Sequence, residues 1–211
     1  MLFRSKETPT RDVEIIKRWQ GEGSQSGMFD TPVQLIVHVG NQQTQMTCQQ
    51  AIHSGDWSCG TLEDVPVGTT VTIEEPDVPA GWEPDPNTLS FTVTENTTSH
   101  TVVNRLRTYT LSFEKQWEGG DPPGQGLITL TVKRGDETIG SITCIGDSTT
   151  NPWTCTEPVE VKLGDQLTIE ESGLDAEWQV DASTLSLTVD ADFIEQNCDQ
   201  QGDCVHTVVN Q

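Results

Sequence analysis

The chain has 211 residues, one third of them hydrophobic, which is enough apolar material for two small cores. Eleven Lys and Arg against 33 Asp and Glu leave a formal charge of −22, which repels phosphate backbones and anionic headgroups and argues against nucleic acid or membrane surfaces as partners. Six cysteines, with two pairs at identical spacing, point to structural disulfides and an oxidising compartment outside the cytosol.

Residues 1–11 are polar apart from Leu2 and Phe3, and are expected to form a flexible arm or a strand donated to a neighbour. They hold no apolar signal core, and no later stretch is long enough to span a bilayer, so an export signal is expected to lie outside this sequence. Val13, Ile15, Lys17 and Trp19 then alternate with Glu14, Ile16 and Arg18, the period of a strand with Lys17 on its apolar side. A Gly/Ser loop from Gly21 leads to a second strand over Val33–Val39. Short strands are expected around Cys48 and Cys59, over Val65–Glu75, Leu89–Val93 and Thr101–Asn104, with turn residues in each gap. Within Val65–Glu75, the residues Val71, Ile73 and Glu75 share a face, which puts an acid in an apolar row. No window shows helical periodicity.

This series occurs twice. Lys17-Arg18-Trp19 recurs as Lys115-Gln116-Trp117, and Cys48, Trp57, Cys59, Gly68, Glu75, Trp82 and Leu89 recur at one constant offset as Cys144, Trp153, Cys155, Gly164, Glu171, Trp178 and Leu185. His100 to Asn104 recurs as His206 to Asn210, after an insertion peculiar to the second copy. About seven short strands per copy predict an all-β chain of two tandem Ig-like β-sandwiches, over residues 12–106 and 107–211. The second sandwich carries an inserted disulfide loop near 190–205, and the short connection Arg105 to Thr108 predicts a stiff pair.

Three polar residues per copy fall on inward phases: Lys17, Glu75 and Asn104, then Lys115, Glu171 and Asn210. They lie on the first strand, a middle strand and the last strand, so they meet if first and last strands are neighbours. Burial disfavours charged forms, which favours a neutral amine beside a protonated acid. A neutral lysine amine is a nucleophile, and a carboxyl group can polarise a carboxamide and relay protons as ammonia leaves. The product is a Lys–Asn amide, formed once and without turnover. The competing reading is a buried Lys–Glu pair with a hydrogen-bonded Asn; recurrence of the same order in the same phase favours the bond.

The motifs that carry this argument resemble those of Cna-B-type domains of bacterial surface adhesins and pilins: Lys-x-Trp opening each copy, Val71-x-Ile73-x-Glu75 or Leu167-x-Ile169-x-Glu171 after a Gly turn, Gly81-Trp82, and the closing Val-Val-Asn. The resemblance spans residues 13–211 and implies transthyretin-like sandwiches locked by autocatalytic isopeptide bonds, Lys17 to Asn104 assisted by Glu75 and Lys115 to Asn210 assisted by Glu171. The chain departs from the family where Val71 and Leu167 replace a usual Tyr, and in its paired cysteines.

Cys48 with Cys59 and Cys144 with Cys155 read as bridges across hairpins, and Cys198 with Cys204 as a staple within the insertion. No close Cys-x-x-Cys pair supports zinc. The acids of the insertion, Asp190, Asp192, Glu195, Asp199 and Asp203, lack the spacing of a calcium loop and read as a solvated surface. His100 and His206 read as satisfied histidines at the core edge, and Trp57, Trp82, Trp153 and Trp178 as packing residues. No cofactor and no turnover enzyme is expected. The expected role is that of an extracellular, cell-surface structural protein, the stalk of an adhesin or the subunit of a pilus-like fibre. Its partners would be copies of itself, neighbouring surface domains, or a host or surface ligand. The alternative is a ligand-binding adhesive module that uses the acidic insertion.

Overall fold

The computed structural model describes residues 8–21, 32–50, 55–174 and 177–211. The chain divides into two compact units, Met1–Leu106 and Arg107–Gln211. Residues 1–7 of the expected arm lie outside the described residues, as do most of the loop after Gly21 and residues 51–54.

Among the described residues, the first unit is one curled sheet built from β1 (Thr10–Gln20), β2 (Val33–Val39), β3 (Gln42–Gln50), β4 (Asp56–Pro66), β5 (Thr70–Glu74), β6 (Trp82–Pro84), β7 (Ser90–Thr92) and β8 (Ser99–Leu106). The strand order is β6-β8-β1-β4-β3-β2-β5-β7. Curling brings the two ends of this order face to face around a core, as the two layers of a sandwich do. On β1 the residues Val13, Ile15, Lys17 and Trp19 are all buried, so the strict alternation of the sequence forces Lys17 inside with them. Strand β1 begins at Thr10, within the stretch expected to be an arm, because Thr10 and Arg11 pair with Pro66 and Val65. Val65–Glu75, expected as one strand, is divided: β4 ends at Pro66, Gly68 turns the chain at φ 91°, and β5 follows. Only glycine adopts that φ without strain, and the turn carries Val71 and Ile73 to the opposite side of the core.

The second unit repeats the plan with β9 (Thr108–Trp117), β10 (Gln125–Arg134), β11 (Glu137–Asp147), β12 (Trp153–Cys155), β13 (Val159–Lys162), β14 (Gln166–Ser172), β15 (Ser186–Thr188) and β16 (Asp203–Asn210). Tyr109, Leu111, Phe113, Lys115 and Trp117 of β9 are buried. Strands β12 and β13 together replace the single strand β4 along the first strand, and β16 pairs with β9 on the other edge.

The insertion contains a helix, α1 (Ala191–Asn197), that periodicity did not reveal. Two turns are too short to show a repeat, and only Phe193 and Ile194 are buried. Asp190 caps the helix by accepting from the Phe193 amide at 2.8 Å.

Candidate functional site

The first and last strands of each unit are parallel neighbours. Lys17 stands opposite Val102 and Trp19 opposite Asn104; Lys115 stands opposite Val208 and Trp117 opposite Asn210. Lys and Asn are therefore diagonal neighbours on one buried face, within reach of a long side chain. Glu75 enters from beyond the end of β5, and Glu171 from β14, each following two buried apolar residues in the same phase.

In the first unit the three side chains close on one another. Lys17 Nζ donates to Glu75 Oε2 and to Asn104 Oδ1, each at 2.5 Å, and Asn104 Nδ2 donates to Glu75 Oε1 at 2.9 Å. One carboxyl group thus holds both nitrogens, that of the amine and that of the carboxamide. The side chains of Lys17 and Glu75 are fully shielded from solvent, as is Asn104.

The second unit holds the same residues in a looser arrangement. Asn210 Nδ2 donates to Glu171 Oε1 at 2.9 Å, but Lys115 Nζ donates to the Val208 carbonyl at 3.3 Å. Glu171 Oε2 lies 3.3 Å from Lys115 Nζ, inside ion-pair distance yet outside hydrogen-bond alignment. That oxygen and Asn210 Oδ1 are buried without hydrogen-bond partners among the described residues.

Burial sets the electrostatics. Loss of hydration pushes the Lys17 amine below its usual range, against the opposing pull of Glu75. The same cause takes Lys115 down to about 8, with Glu171 again opposing. Both amines therefore release a proton more readily than a solvent-exposed lysine, and a neutral amine is the nucleophilic form.

Aromatic rings wall the amines. Lys17 Nζ lies 5.1 Å from the centre of the Trp19 ring and Lys115 Nζ 5.2 Å from that of Trp117. Trp19 meets Trp57 and Trp82 at 6.0 and 5.0 Å, and Trp117 meets Trp153 and Trp178, each at 4.9 Å. All six tryptophans of the sequence are spent on these two clusters. Repetition in register marked Trp57, Trp82, Trp153 and Trp178 as packing residues, but only the three-dimensional arrangement shows that they pack on Trp19 and Trp117, the rings beside the lysines. Sequence reasoning missed Gly126 and Gly146, where a Cβ would come within 2.7 and 2.2 Å of the Trp153 ring. It also missed Asn151, whose carboxamide accepts from the Trp117 amide at 3.1 Å and donates to the Trp117 carbonyl at 2.9 Å, standing in for a strand at that point.

The remaining candidates have structural partners. Cys48–Cys59, Cys144–Cys155 and Cys198–Cys204 are disulfide-bonded. The two histidines meet main-chain carbonyls, His100 that of Thr88 at 2.7 Å and His206 that of Thr184 at 2.9 Å; burial pushes His206 down. In the insertion, Asp199 Oδ1 accepts from the Gly202 and Asp203 amides, both at 2.9 Å. No group of three or more metal-ligating side chains converges among the described residues.

No family model matches the chain, and no curated protein matches it. Among solved structures it is similar to the Bacillus anthracis TIE protein at 14% identity and a TM-score of 0.51, over 96% of this chain and 34% of that one. Two B repeat units of the collagen-binding protein Cna of Staphylococcus aureus align at 16% identity and a TM-score of 0.29, over 98% of this chain and 50% of theirs. A streptococcal ancillary pilin aligns at 12% identity and a TM-score of 0.33, over 95% and 69%. The chain thus spans about a third of the Bacillus anthracis chain and half of the staphylococcal one. The first likeness shows the fold alone: two tandem curled β-sandwich units.

Proposed function

We propose that this chain is an extracellular structural protein, the stalk of a surface adhesin or the subunit of a pilus-like fibre, whose two units lock themselves with Lys–Asn isopeptide bonds. The observation that carries the reading is the first-unit cluster, in which a fully buried amine, carboxyl and carboxamide lie within 2.5 to 2.9 Å of one another. Lys17 Nζ attacks Asn104 Cγ; the Nζ–Cγ bond forms and the Cγ–Nδ2 bond breaks. One proton passes from Nζ to Glu75 Oε2, the Oε1 side delivers one to Nδ2, and ammonia leaves with the carboxyl unchanged. Lys115, Glu171 and Asn210 perform the same reaction in the second unit. The product is part of the protein, so each site reacts once. The three disulfides fit an oxidising, extracytoplasmic setting, and partners are expected to be further copies or neighbouring surface domains.

The mechanical sense follows from position. A bond between the first and last strands of a unit carries tension past the sheet, so pulling on the ends does not unzip it. Single-molecule pulling tests this. The 87 positions between Lys17 and Asn104 would release roughly 300 Å of chain if unlocked. The locked protein withholds that length, and Glu75→Ala releases it. Full extension of both units in the native protein would overturn the proposal.

A further inference from the structure

The two sites share their residues but not their geometry, and the difference bears on when each bond forms. In the first unit the Lys17 amine already touches the carboxamide it would attack and the carboxyl that would take its proton, both at 2.5 Å. In the second unit the Lys115 amine is turned onto the main-chain carbonyl of Val208, the residue opposite it on the strand that carries Asn210. The carbonyl oxygen of the Asn210 carboxamide and the nearer carboxyl oxygen of Glu171 are left buried without an aligned hydrogen bond among the described residues, the latter 3.3 Å from the Lys115 amine. These are the two atoms whose counterparts hold the amine in the first unit.

The segments that pair with the two acceptor strands follow the same register. In the first unit β6 pairs with β8 over three residues, with Trp82 opposite Leu106, Glu83 opposite Arg105 and Pro84 opposite Asn104. In the second, Val180 stands opposite Asn210 and Gln179 exchanges hydrogen bonds with Gln211 at 2.9 and 2.8 Å, so the two sites differ in the direction of the amine and not in this pairing.

We propose that the units lock in sequence: the Lys17–Asn104 bond forms first from a contact already in place, and the Lys115–Asn210 bond forms in a later, separate step that begins when the Lys115 amine leaves the Val208 carbonyl. The proposal rests on the isopeptide reading above. Each step is balanced as before, one amine and one carboxamide giving one amide and one ammonia. Burial lowers both amines; what separates the second site from the first is the aim of its amine. Giving up one buried hydrogen bond slows the second step by about tenfold. For a time after folding the chain is therefore locked in its first unit and open in its second.

The test uses the full chain with its natural sequence. It is made by cell-free translation under oxidising conditions, quenched in acid at intervals, reduced, and weighed intact, with the crosslinked peptides sequenced by tandem mass spectrometry. The expected result is a species about 17 Da light that accumulates early and maps to Lys17–Asn104, followed about tenfold more slowly by the doubly linked chain. A singly linked species that maps to Lys115–Asn210, or equal rates with no build-up of either, overturns the order. A mass that never falls overturns the isopeptide reading itself, and is told apart because neither crosslinked peptide is then found.

Discussion

Replacing Lys17 by Met separates a locked first unit from a merely well-packed one, because the two accounts predict losses of different size. The crosslink closes a loop of 87 positions, and losing it returns about 4.5 kcal/mol of chain entropy to the unfolded state. Glu75 Oε2, which holds the amine at 2.5 Å, also loses its partner in a site closed to water, at a further cost of roughly 1–3 kcal/mol. The sum is about 5.5–7.5 kcal/mol, and for a unit of this size each kcal/mol moves the midpoint by about 4 °C or more, so Lys17→Met lowers the melting temperature of the first unit by at least about 20 °C. Tryptophan emission follows the melt under oxidising conditions, with Lys115→Met as the matched perturbation of the other unit. If no bond exists, the substitution still strands Glu75 in the buried site but returns no chain entropy, so the loss is smaller by about 4.5 kcal/mol. A fall of only a few degrees would refute the reasoning.

Other expectations follow from the same geometry. In an Asn210→Ala chain, which cannot close the second site, Lys115 keeps its depressed pKa. Below about 8 it is charged in both states and the burial penalty is fully present; between about 8 and 10.5 the unfolded chain binds more protons, so stability rises with pH. The stability deficit of that chain relative to the Lys115→Met, Asn210→Ala double variant should shrink by roughly 3 kcal/mol across that window; a deficit constant with pH would count against a buried, depressed amine. Opening Cys144–Cys155 by Ser substitution, a loop of separation 11, should cost about 3 kcal/mol in denaturant titration, and an equal midpoint would show that the bridge is not formed in solution. Gly146→Ala places a methyl 2.2 Å from the Trp153 ring and should destabilise the second unit by about 1–3 kcal/mol with a shift in tryptophan emission. A wild-type spectrum and midpoint would mean that the strand holding Gly146 is not pressed on that ring.

The legible part of this protein lay where one physical rule dominated. Alternation alone put Lys17 and Lys115 among buried apolar residues, and the same rule aligned Glu75 and Glu171 with the cores. The duplication made the triads visible as triads, since one Lys, Glu, Asn match in inward phase is common by chance and two in identical order are not. The parallel pairing of first and last strands that brings Lys near Asn was a condition of the reading, not something that the sequence could supply, because pairing partners far apart in the chain leave no local pattern. Helix α1 escaped because its two turns bury only Phe193 and Ile194, and the break at Gly68 because Val65–Glu75 reads as strand on both sides of a turn. The difference between the two sites was invisible for a sharper reason: the same residue types stand at the same register, and only the direction of one amine, toward a carboxamide in one unit and a main-chain carbonyl in the other, separates them.

The central claim is that the lysine and asparagine side chains join. The intact mass of the mature protein after full reduction tests it directly, because reduction opens every disulfide and leaves an amide untouched. Two bonds predict a mass about 34 Da below that calculated from the sequence, falling to a deficit of about 17 Da in Glu75→Ala and in Glu171→Ala alone. A reduced mass equal to the calculated one would contradict the account and leave each triad a buried polar cluster.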